Sequence, residues 1–339
     1  MTYRLMAVFT KKNLFSALKI LLSLGLALLL FWYLYRDGFS DTIDRLKQVN
    51  YLWVWLSLLI GIAAHLVRAY RWKLLMEPTG NYPSLMKCFL ALLVGYLVNL
   101  AVPRLGELSR CLVLKNTAKI PVTSSLGTVV SERVLDVLSL LAIIGFTLLI
   151  EFDKLNEFFR SLFLDKIKGV FANVQILLIF LAVLTLVIVV LWFAFGKRVL
   201  RSTWWNKVKS LLHQTWLGFI SITRLKKPGP FWISTVGIWV LYYFMSYVVF
   251  FAMEPTAHLD WKAGMALLVM GGLAMSAPVQ GGIGAFHLLV AGLLIYYGVG
   301  KEDGLSFAFL LHSSQMVLIL SMGTISAITV LLVSKKAAA

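Results

Sequence analysis

The sequence predicts an all-α protein, a polytopic bundle of transmembrane helices, and three observations lead to this prediction. Hydrophobic residues make up 60% of the chain and charged residues only 14%, whereas soluble domains are about half apolar and about 25% charged. Several apolar runs reach the roughly 20 residues that a helix needs to cross a bilayer. These runs are longer than the roughly 10-residue alternating strands of membrane barrels. We therefore expect residues 1–339 to form a single integral membrane domain.

Six runs are long and apolar enough to be full spans. They cover residues 14–35, 51–72, 125–150, 174–195, 231–253 and 305–333. Two further apolar stretches are interrupted: residues 84–120 contain Pro103, and residues 261–298 contain Pro278 and a glycine cluster. Because proline ends a helix and glycine frees the backbone, we expect each stretch to form a broken, re-entrant hairpin.

The basic residues predict the orientation of the bundle, since Lys and Arg concentrate in the cytoplasmic loops of membrane proteins. Residues 196–230 carry eight Lys and Arg and no acidic residue, with tryptophans among them. We expect this segment to be cytoplasmic and to lie on the membrane surface. The segments 36–50 and 151–173, with charges of both signs, should be outside. Basic residues precede the first span and follow the last, which predicts cytoplasmic N- and C-termini and an inner (cytoplasmic) membrane location.

The net charge of +17 could indicate nucleic-acid binding, but its distribution argues against that. Lys and Arg cluster in loops between the apolar runs, where anionic lipid headgroups are the natural counter-charge. We therefore expect the membrane and its phospholipids as partners, and no nucleic acid. Oligomeric state is left open, because the small-residue stretch 264–282 could pack against a second copy of the chain in a homo-oligomer.

The predicted orientation makes residues 51–150 and 231–333 similar units. Each consists of a span, a broken hairpin and a second span, and the two units run in opposite directions across the membrane. Such inverted repeats are typical of transporters, whose interrupted helices meet at a binding site near the bilayer midplane. The alternative is that each hairpin is simply two tilted spans of an ordinary bundle.

The residues of most chemical interest are the charges at membrane depth, which fall into three groups with helical spacing. These are Arg68 and Arg71 on the second span, Arg104, Glu107 and Arg110 in the first hairpin, and Glu132, Arg133 and Asp136 on the third span. Each charge at the centre of a membrane helix costs roughly 2.5–3.5 kcal/mol, so we expect a functional or structural network. The alternative for Arg68 and Arg71 is that their side chains extend to the cytoplasmic interface and have no role.

The sign of these charges indicates the kind of ligand. The eight residues sum to +2, and a positive cavity lining suits an anionic group such as a lipid phosphate. Arginine is well adapted to such a group because its guanidinium forms two parallel hydrogen bonds. Within the third group, Arg133 lies three residues before Asp136, so an internal ion pair is geometrically easy.

The second interruption offers another candidate anion site. Pro278 ends one helix, and Gly281, Gly282 and Gly284 free the backbone just before the next helix begins. Unpaired N–H groups at a helix N-terminus bind anions. The alternative is close packing of helices through small residues.

Three motifs in this order make the chain resemble a known family. They are Pro103-Arg104-x-Gly106-Glu107-x-x-Arg110, Ser131-Glu132-Arg133-x-x-Asp136 and Pro278-x-x-Gly281-Gly282-x-Gly284. The sequence from about residue 14 to residue 333 resembles the membrane region of lysylphosphatidylglycerol synthetases and the stand-alone, flippase-like membrane proteins related to it. His287 departs from that pattern, because an acidic residue is expected after the glycines.

The resemblance implies the fold of a lipid flippase or lipid transporter. In the bifunctional relatives, the membrane region is thought to move aminoacylated phosphatidylglycerol between leaflets, while a separate soluble domain makes it. Residues 1–339 contain no segment long enough for such a domain, so we expect a stand-alone membrane homologue and no lysyl transfer. The expected function is transport of an anionic or aminoacylated phospholipid, or another lipid-linked molecule, between leaflets.

The candidate substrate-binding residues combine the charged groups with the two interruptions. They are Arg68, Arg71, Asn99, Pro103, Arg104, Gly106, Glu107, Arg110, Glu132, Arg133, Asp136, Pro278, Gly281, Gly282 and Gly284. No catalytic residue, metal site or cofactor is expected. The five histidines are dispersed without metal-site spacing, and without a phosphate-binding loop motif direct ATP drive is not expected.

Two alternative functions stay open at this point. One is a membrane-embedded transferase acting on a lipid-linked substrate, with Glu107 or Asp136 as general base. The other is a non-catalytic membrane partner of a soluble lipid-modifying enzyme, docked on residues 196–230.

Overall fold

The computed structural model describes residues 24–36, 38–102, 105–160, 225–277 and 279–336. Within these ranges all regular secondary structure is helical, as the composition predicts. The α-helices are α1 (Leu24–Tyr35), α2 (Phe39–Leu46), α3 (Tyr51–Met76), α4 (Leu85–Ala101), α5 (Gly106–Ala118), α6 (Val122–Ile150), α7 (Phe152–Phe159), α8 (Pro228–Tyr247), α9 (Trp261–Ser276), α10 (Ala285–Ile295) and α11 (Lys301–Lys336).

Four of the described helices are long and apolar enough to cross a membrane. They are α3, α6, α8 and α11, and they correspond to four of the six predicted spans. The helix α8 continues into a 3-10 segment at Val248–Ala252. The first predicted span is described only from residue 24 onward. The predicted span 174–195 and most of the basic segment 196–230 lie outside the described residues.

The helices α4 and α5 form the first predicted hairpin, and two glycines let them lie against each other. A Cβ atom built on Gly95 would be 2.9 Å from the carbonyl oxygen of Gly106. The N–H of Gly106 donates to the side-chain oxygen of Asn99 at 2.7 Å, which satisfies one of the unpaired donors at the start of α5. The bend itself, at residues 103–104, lies outside the described residues.

The helices α9 and α10 form the second predicted hairpin, with a 3-10 turn at Gln280–Gly282 between them. The chain passes through positive φ angles at Gly281 (60°), Gly282 (73°) and Gly284 (82°). Residues with a Cβ atom rarely adopt these backbone angles, so the glycine cluster is what allows the helix to break here. Residue 278 lies outside the described part of the chain.

The long helix α3 packs against α8, α4 and α6, whereas α11 packs against α10 and α4 and so touches both hairpins. One apolar core surrounds α9, α10 and α11, and a second lies among α3, α4 and α5. The order of long helix, hairpin and long helix occurs in both halves of the described chain. The division into repeats 51–150 and 231–333 with opposite orientation stays a prediction.

Short helices lie within the two segments predicted to be outer loops, namely α2 within residues 36–50 and α7 at the start of residues 151–173. A hydrogen bond between the backbone of Asn50 and the carbonyl of Ala252 (2.9 Å) joins the first loop to the end of the 3-10 segment after α8. The first predicted outer loop therefore contacts the end of the predicted span 231–253.

Candidate functional site

Three helices bring most of the predicted charged residues together. On α3, the spacing of Arg68 and Arg71 directs both side chains into the bundle, where they are 6% and 0% exposed. Both guanidinium groups are buried and paired with carboxylates inside the bundle. Their partners come from α6, and a third arginine, Arg110, enters from α5.

Glu132 on α6 is the centre of this arrangement and is fully buried. Its Oε1 atom lies 2.7 Å from Nε of Arg68 and 3.5 Å from Nη2 of Arg71. Its Oε2 atom lies 2.8 Å from Nη1 of Arg110. A single carboxylate therefore joins the second span, the first hairpin and the third span.

Asp136 lies one helical turn further along α6 and contacts the same pair of arginines. Arg71 donates through Nη2 to its Oδ1 atom at 2.5 Å, and Arg68 donates through Nη2 to its Oδ2 atom. Each of the two α3 arginines thus contacts both carboxylates. We refer to Arg68, Arg71, Arg110, Glu132 and Asp136 as the buried charge cluster.

Aromatic packing supports the cluster from the side of α3. The guanidinium of Arg110 lies over the ring of Trp72, 4.6 Å from its centroid, an attractive arrangement for a desolvated cation. The indole N–H of Trp72 in turn donates to the hydroxyl of Thr128 on α6 at 3.0 Å.

The buried charge cluster has three arginines for two carboxylates, so it carries a net charge of +1. Several of its N–H groups are buried without a hydrogen-bond acceptor in the described residues, among them Nε and Nη1 of Arg71 and Nε and Nη2 of Arg110. Buried charges are tolerated when they are paired and hydrogen-bonded. Here the three guanidinium groups have more N–H groups than the two carboxylates accept. The cluster therefore holds an excess of positive charge inside the bundle.

A second ion pair lies beside the cluster and is more accessible. Arg133 donates through Nη2 to Glu107 at 2.8 Å, and the two side chains are 44% and 26% exposed. The predicted partner of Arg133, Asp136, is 3.9 Å away. The closer contact is therefore between α6 and the first hairpin rather than within α6.

A cavity of about 350 Å³ lies beside the buried charge cluster, within the range of small-molecule binding sites. Arg68 forms part of its wall, and its Nη1 atom donates to the hydroxyl of Tyr242 at 3.0 Å. Most of the remaining wall is apolar and comes from α4, α8, α9 and α11. The polar and aromatic lining residues include His65, Arg68, Tyr96, Trp239, Tyr242 and Gln315.

The turn between α9 and α10 contacts the end of α4 beside this cavity. The side-chain amide of Gln280 donates to the carbonyl of Leu100 at 2.8 Å and to that of Ala101 at 2.5 Å. These are the last carbonyls of α4, which have no partner within the helix. On the other side of the turn, Nε2 of His312 on α11 lies 2.9 Å from the carbonyl oxygen of Gly281. Leu100 and Gly281 both line the cavity.

His287, the departure from the expected acidic pattern, has a clear structural role. It is 3% exposed, and its Nδ1 atom accepts the N–H of Gly284 at 3.2 Å. An acidic side chain three residues into a helix commonly accepts this same N–H, so the imidazole replaces the expected carboxylate as a cap. Its ring lies 5.0 Å from that of His312, but the described residues contain no group of three or more side chains able to hold a metal ion.

The predicted site residues fall into four places. The buried charge cluster contains Arg68, Arg71, Arg110, Glu132 and Asp136, and the neighbouring ion pair consists of Glu107 and Arg133. Asn99 and Gly106 lie at the contact between α4 and α5. The turn between α9 and α10 contains Gly281, Gly282 and Gly284. Of the three glycines, Gly281 lines the cavity, while Gly284 lies against Leu30 of α1. Pro103, Arg104 and Pro278 lie outside the described residues.

Sequence reasoning missed the uncharged side chains of the cavity wall and of the contact between the hairpins. These are Tyr96, Trp239, Tyr242, Gln280, His312 and Gln315. Aromatic and amide residues inside apolar helices look like ordinary core in a sequence. Gln280 had one usable signal, since it is a polar residue within a glycine-rich break at predicted membrane depth.

Comparison with known proteins identifies the family of this chain. Residues 16–323 match the family described as the lysylphosphatidylglycerol synthase TM region. The UPF0104 membrane protein MJ1595 of Methanocaldococcus jannaschii is 30% identical over 102 residues, an alignment that covers 29% of this chain and 30% of that protein. No solved structure matches the chain. Because the family match covers most of the chain and the described apolar helices fit it, this chain is a multi-pass membrane protein that belongs to the family of the lysylphosphatidylglycerol synthase TM region.

Proposed function

We propose that this protein moves a phospholipid between the leaflets of the inner (cytoplasmic) membrane, with both of its termini in the cytoplasm. The observation that carries the proposal is the hydrogen bond from Gln280, in the turn of the second hairpin, to the end of α4, beside a cavity that contains Arg68. Interrupted helices that meet at a shared cavity are typical of transporters. In lipid, non-helical backbone is tolerated only where protein shields it or where it lines a cavity.

The dimensions and composition of the cavity suit the polar end of a lipid. Its volume of about 350 Å³ can hold a headgroup but not the acyl chains as well, which would stay in the bilayer. The wall is apolar except for a few convergent polar groups, the usual composition of a site that positions a small ligand. Arg68 supplies the cation, and the aromatic side chains beside it exclude water.

The buried charge cluster has a supporting role in this proposal. Arg71 and Arg110 are almost completely buried and do not line the cavity, so they do not contact the headgroup in this conformation. They hold Glu132 and Asp136, and those carboxylates orient Arg68 toward the cavity wall. Without that support, a lone guanidinium at this depth would be strongly unfavourable.

Contacts between loops support the proposed orientation. The predicted outer segments 36–50 and 151–173 both contact the chain between the second hairpin and the last span. Arg45 contacts Asp303 and lies 2.8 Å from Glu302, and Glu151 accepts the hydroxyl of Tyr297 at 3.1 Å. On the side predicted to be cytoplasmic, Lys226 donates to the hydroxyl of Tyr82 at 2.5 Å. The positive-inside distribution of Lys and Arg assigns the side of Lys226 to the cytoplasm.

The proposal is tested by lipid translocation in proteoliposomes. Phosphatidylglycerol with a fluorescent headgroup is reconstituted with the full chain, and dithionite removes the fluorescence of every label that reaches the outer leaflet. In vesicles with wild-type protein, we expect dithionite to quench the inner-leaflet lipid as well, because that lipid moves to the outer leaflet. If vesicles with wild-type protein behave like empty vesicles across several anionic lipids, the translocator proposal is wrong, and the transferase and partner hypotheses become the ones to test.

Variants connect the activity to the cavity. Gln280→Ala removes the contact between the hairpins and should slow translocation, while Gln48→Ala changes an exposed glutamine in the first outer segment and should not. Tyr242→Phe is a milder second variant, since it keeps the ring and deletes only the hydroxyl that accepts from Arg68. Equal translocation rates for the wild type and all three variants would show that translocation does not depend on this cavity.

A further inference from the structure

The wall of the cavity has an unusual balance of polar groups. Among the described residues it contains one guanidinium, that of Arg68, and several hydrogen-bond donors, but no Asp or Glu side chain. A site without a carboxylate has no full negative charge for a ligand ammonium group. The wall therefore favours ligands that are anionic or that accept hydrogen bonds.

On the wall, Nε1 of Trp239 and Nδ1 of His65 are buried and have neither a hydrogen-bond nor an ion-pair partner in the described residues, whereas Nε of Arg68 lies 2.7 Å from Glu132. An indole N–H can only donate, and leaving a buried donor unpaired costs about 1–3 kcal/mol. The Trp239 N–H is therefore free to donate to an acceptor from outside the described residues, such as a ligand in the cavity. His65 is 8% exposed, its ring lies 5.0 Å from that of Tyr96, and it can also donate in the appropriate tautomer.

Tyr242 adds a third donor beside the guanidinium. Its hydroxyl accepts the bond from Nη1 of Arg68 at 3.0 Å, and a hydroxyl that accepts still has its own hydrogen to donate. Arg68, Trp239, Tyr242 and His65 all line one cavity. A phosphodiester, whose single negative charge is shared by two non-bridging oxygens, can accept from such a set of donors.

The nearby carboxylates do not change this balance. Glu132 and Asp136 do not line the cavity, and both are held by arginines. The buried charge cluster still has a net charge of +1 after they are counted, and Glu107 and Arg133 neutralise each other. An ammonium group that entered the cavity would meet no carboxylate on its wall and would approach a charge cluster whose net charge is positive.

We infer that the cavity binds phosphodiester headgroups whose alcohol is uncharged and discriminates against headgroups that carry an ammonium group, including aminoacylated ones. The inference rests on the proposed function for the location of the site. It concerns binding and selectivity, however, which are measured without transport, so the two proposals can fail separately.

The test is competitive binding to the full chain in detergent, followed by native mass spectrometry. The probes are phosphatidylglycerol, phosphatidylethanolamine and lysylphosphatidylglycerol with identical acyl chains, together with water-soluble glycerophosphoglycerol. We expect phosphatidylglycerol to be bound about tenfold or more in preference to both ammonium lipids, the discrimination of one unpaired charged contact. Equal or preferred binding of lysylphosphatidylglycerol would overturn the inference.

The soluble probe separates a lipid site from a site for a free phosphodiester. Binding of phosphatidylglycerol, with or without weaker binding of glycerophosphoglycerol, supports a headgroup site. Binding of glycerophosphoglycerol without any selective binding of the lipid overturns it. If the protein binds phosphatidylglycerol selectively but does not translocate lipid, this inference holds and the proposed function is wrong. If it translocates lipid but binds without selectivity, the proposed function holds and this inference is wrong.

Matched variants locate the selectivity. Trp239→Phe keeps an aromatic ring but deletes the unpaired N–H, and it should weaken phosphatidylglycerol binding about tenfold. Trp232→Phe on the same helix is the control, because Trp232 is 50% exposed and does not line the cavity. Gln315→Glu places a carboxylate on the wall and should shift the preference toward the ammonium lipids. If Gln315→Glu is folded but keeps the wild-type preference, the electrostatic explanation is wrong.

Discussion

Gly106 at the start of α5 lies directly against Gly95 in the middle of α4, so that a methyl group on Gly106 would overlap the carbonyl oxygen of Gly95. This contact sets how closely the two arms of the first hairpin approach each other. Two residues of α5 form ion pairs with α6: Arg110 contacts Glu132, and Glu107 contacts Arg133. Close packing of two glycines therefore positions two of the charged contacts of the candidate site.

The glycine contact leads to a stability prediction. Gly106→Ala should lower the free energy of unfolding by about 1–3 kcal/mol, because the added methyl group meets backbone that can move only by separating the helices. Gly145→Ala in α6 is the control, since a Cβ there meets nothing within 4 Å. The control should be neutral or stabilising by up to about 1 kcal/mol through helix propensity. Thermal denaturation in detergent compares the two, and equal midpoints would contradict the packing explanation.

Removal of the central carboxylate should be more damaging than removal of a surface one. Glu132→Gln leaves three buried arginines with one carboxylate, and breaking such a buried pair costs about 3–5 kcal/mol. Glu302→Gln, at a position that is 65% exposed and paired with Arg45, should cost less than about 1 kcal/mol. The same denaturation measurement applies to both.

A double substitution tests whether the loss comes from unpaired charge. In the Glu132→Gln background, Arg110→Met removes one of the arginines that lost its partner, and it should recover part of the lost stability. Arg110→Met is also measured alone. If it lowers the free energy of unfolding by the same amount in wild type and in Glu132→Gln, the two residues act independently and the cluster does not behave as a unit.

The partly exposed pair should matter for activity more than for stability. Arg133→Ala and Glu107→Gln each break the 2.8 Å contact between α6 and the first hairpin. Because exposed ion pairs contribute at most about 1 kcal/mol, both variants should stay folded. We expect their dithionite-measured translocation rates to fall about tenfold, since a contact to a charged group beside the site is lost. Arg45→Ala, which breaks a pair among the outer segments, is the control and should translocate normally.

The cap formed by His287 gives a prediction about the second hairpin. His287→Leu removes the acceptor for the N–H of Gly284 and should destabilise the protein by about 1 kcal/mol, the usual value of an N-terminal cap. His287→Gln retains an acceptor of the kind that closes a capping box and should lose less. His258→Leu, at an exposed position, controls for the loss of an imidazole. The capping role is excluded if the Leu and Gln variants unfold at the same temperature.

Much of the architecture could be predicted from the sequence because the bilayer limits the choice of structure. Apolar runs about 20 residues long have to be helices, and four such runs are the long helices α3, α6, α8 and α11. The two hairpins were predicted from interruptions in apolar stretches, and the positive φ angles at Gly281 and Gly284 explain why glycine is needed in the second. Helical spacing also places Glu132 and Asp136 on the same face of one span.

Which groups meet across the bundle depended on the tertiary structure. Spacing along α6 favoured Asp136 as the partner of Arg133, yet the closer partner is Glu107 on another helix. A sequence pattern reports neighbours within one helix, whereas contacts between helices depend on packing at positions such as Gly95 and Gly106. The cavity and its uncharged lining, and the bond from Gln280 to α4, follow from that packing, because a polar or aromatic residue in an apolar helix becomes part of a site only when its neighbours leave space beside it.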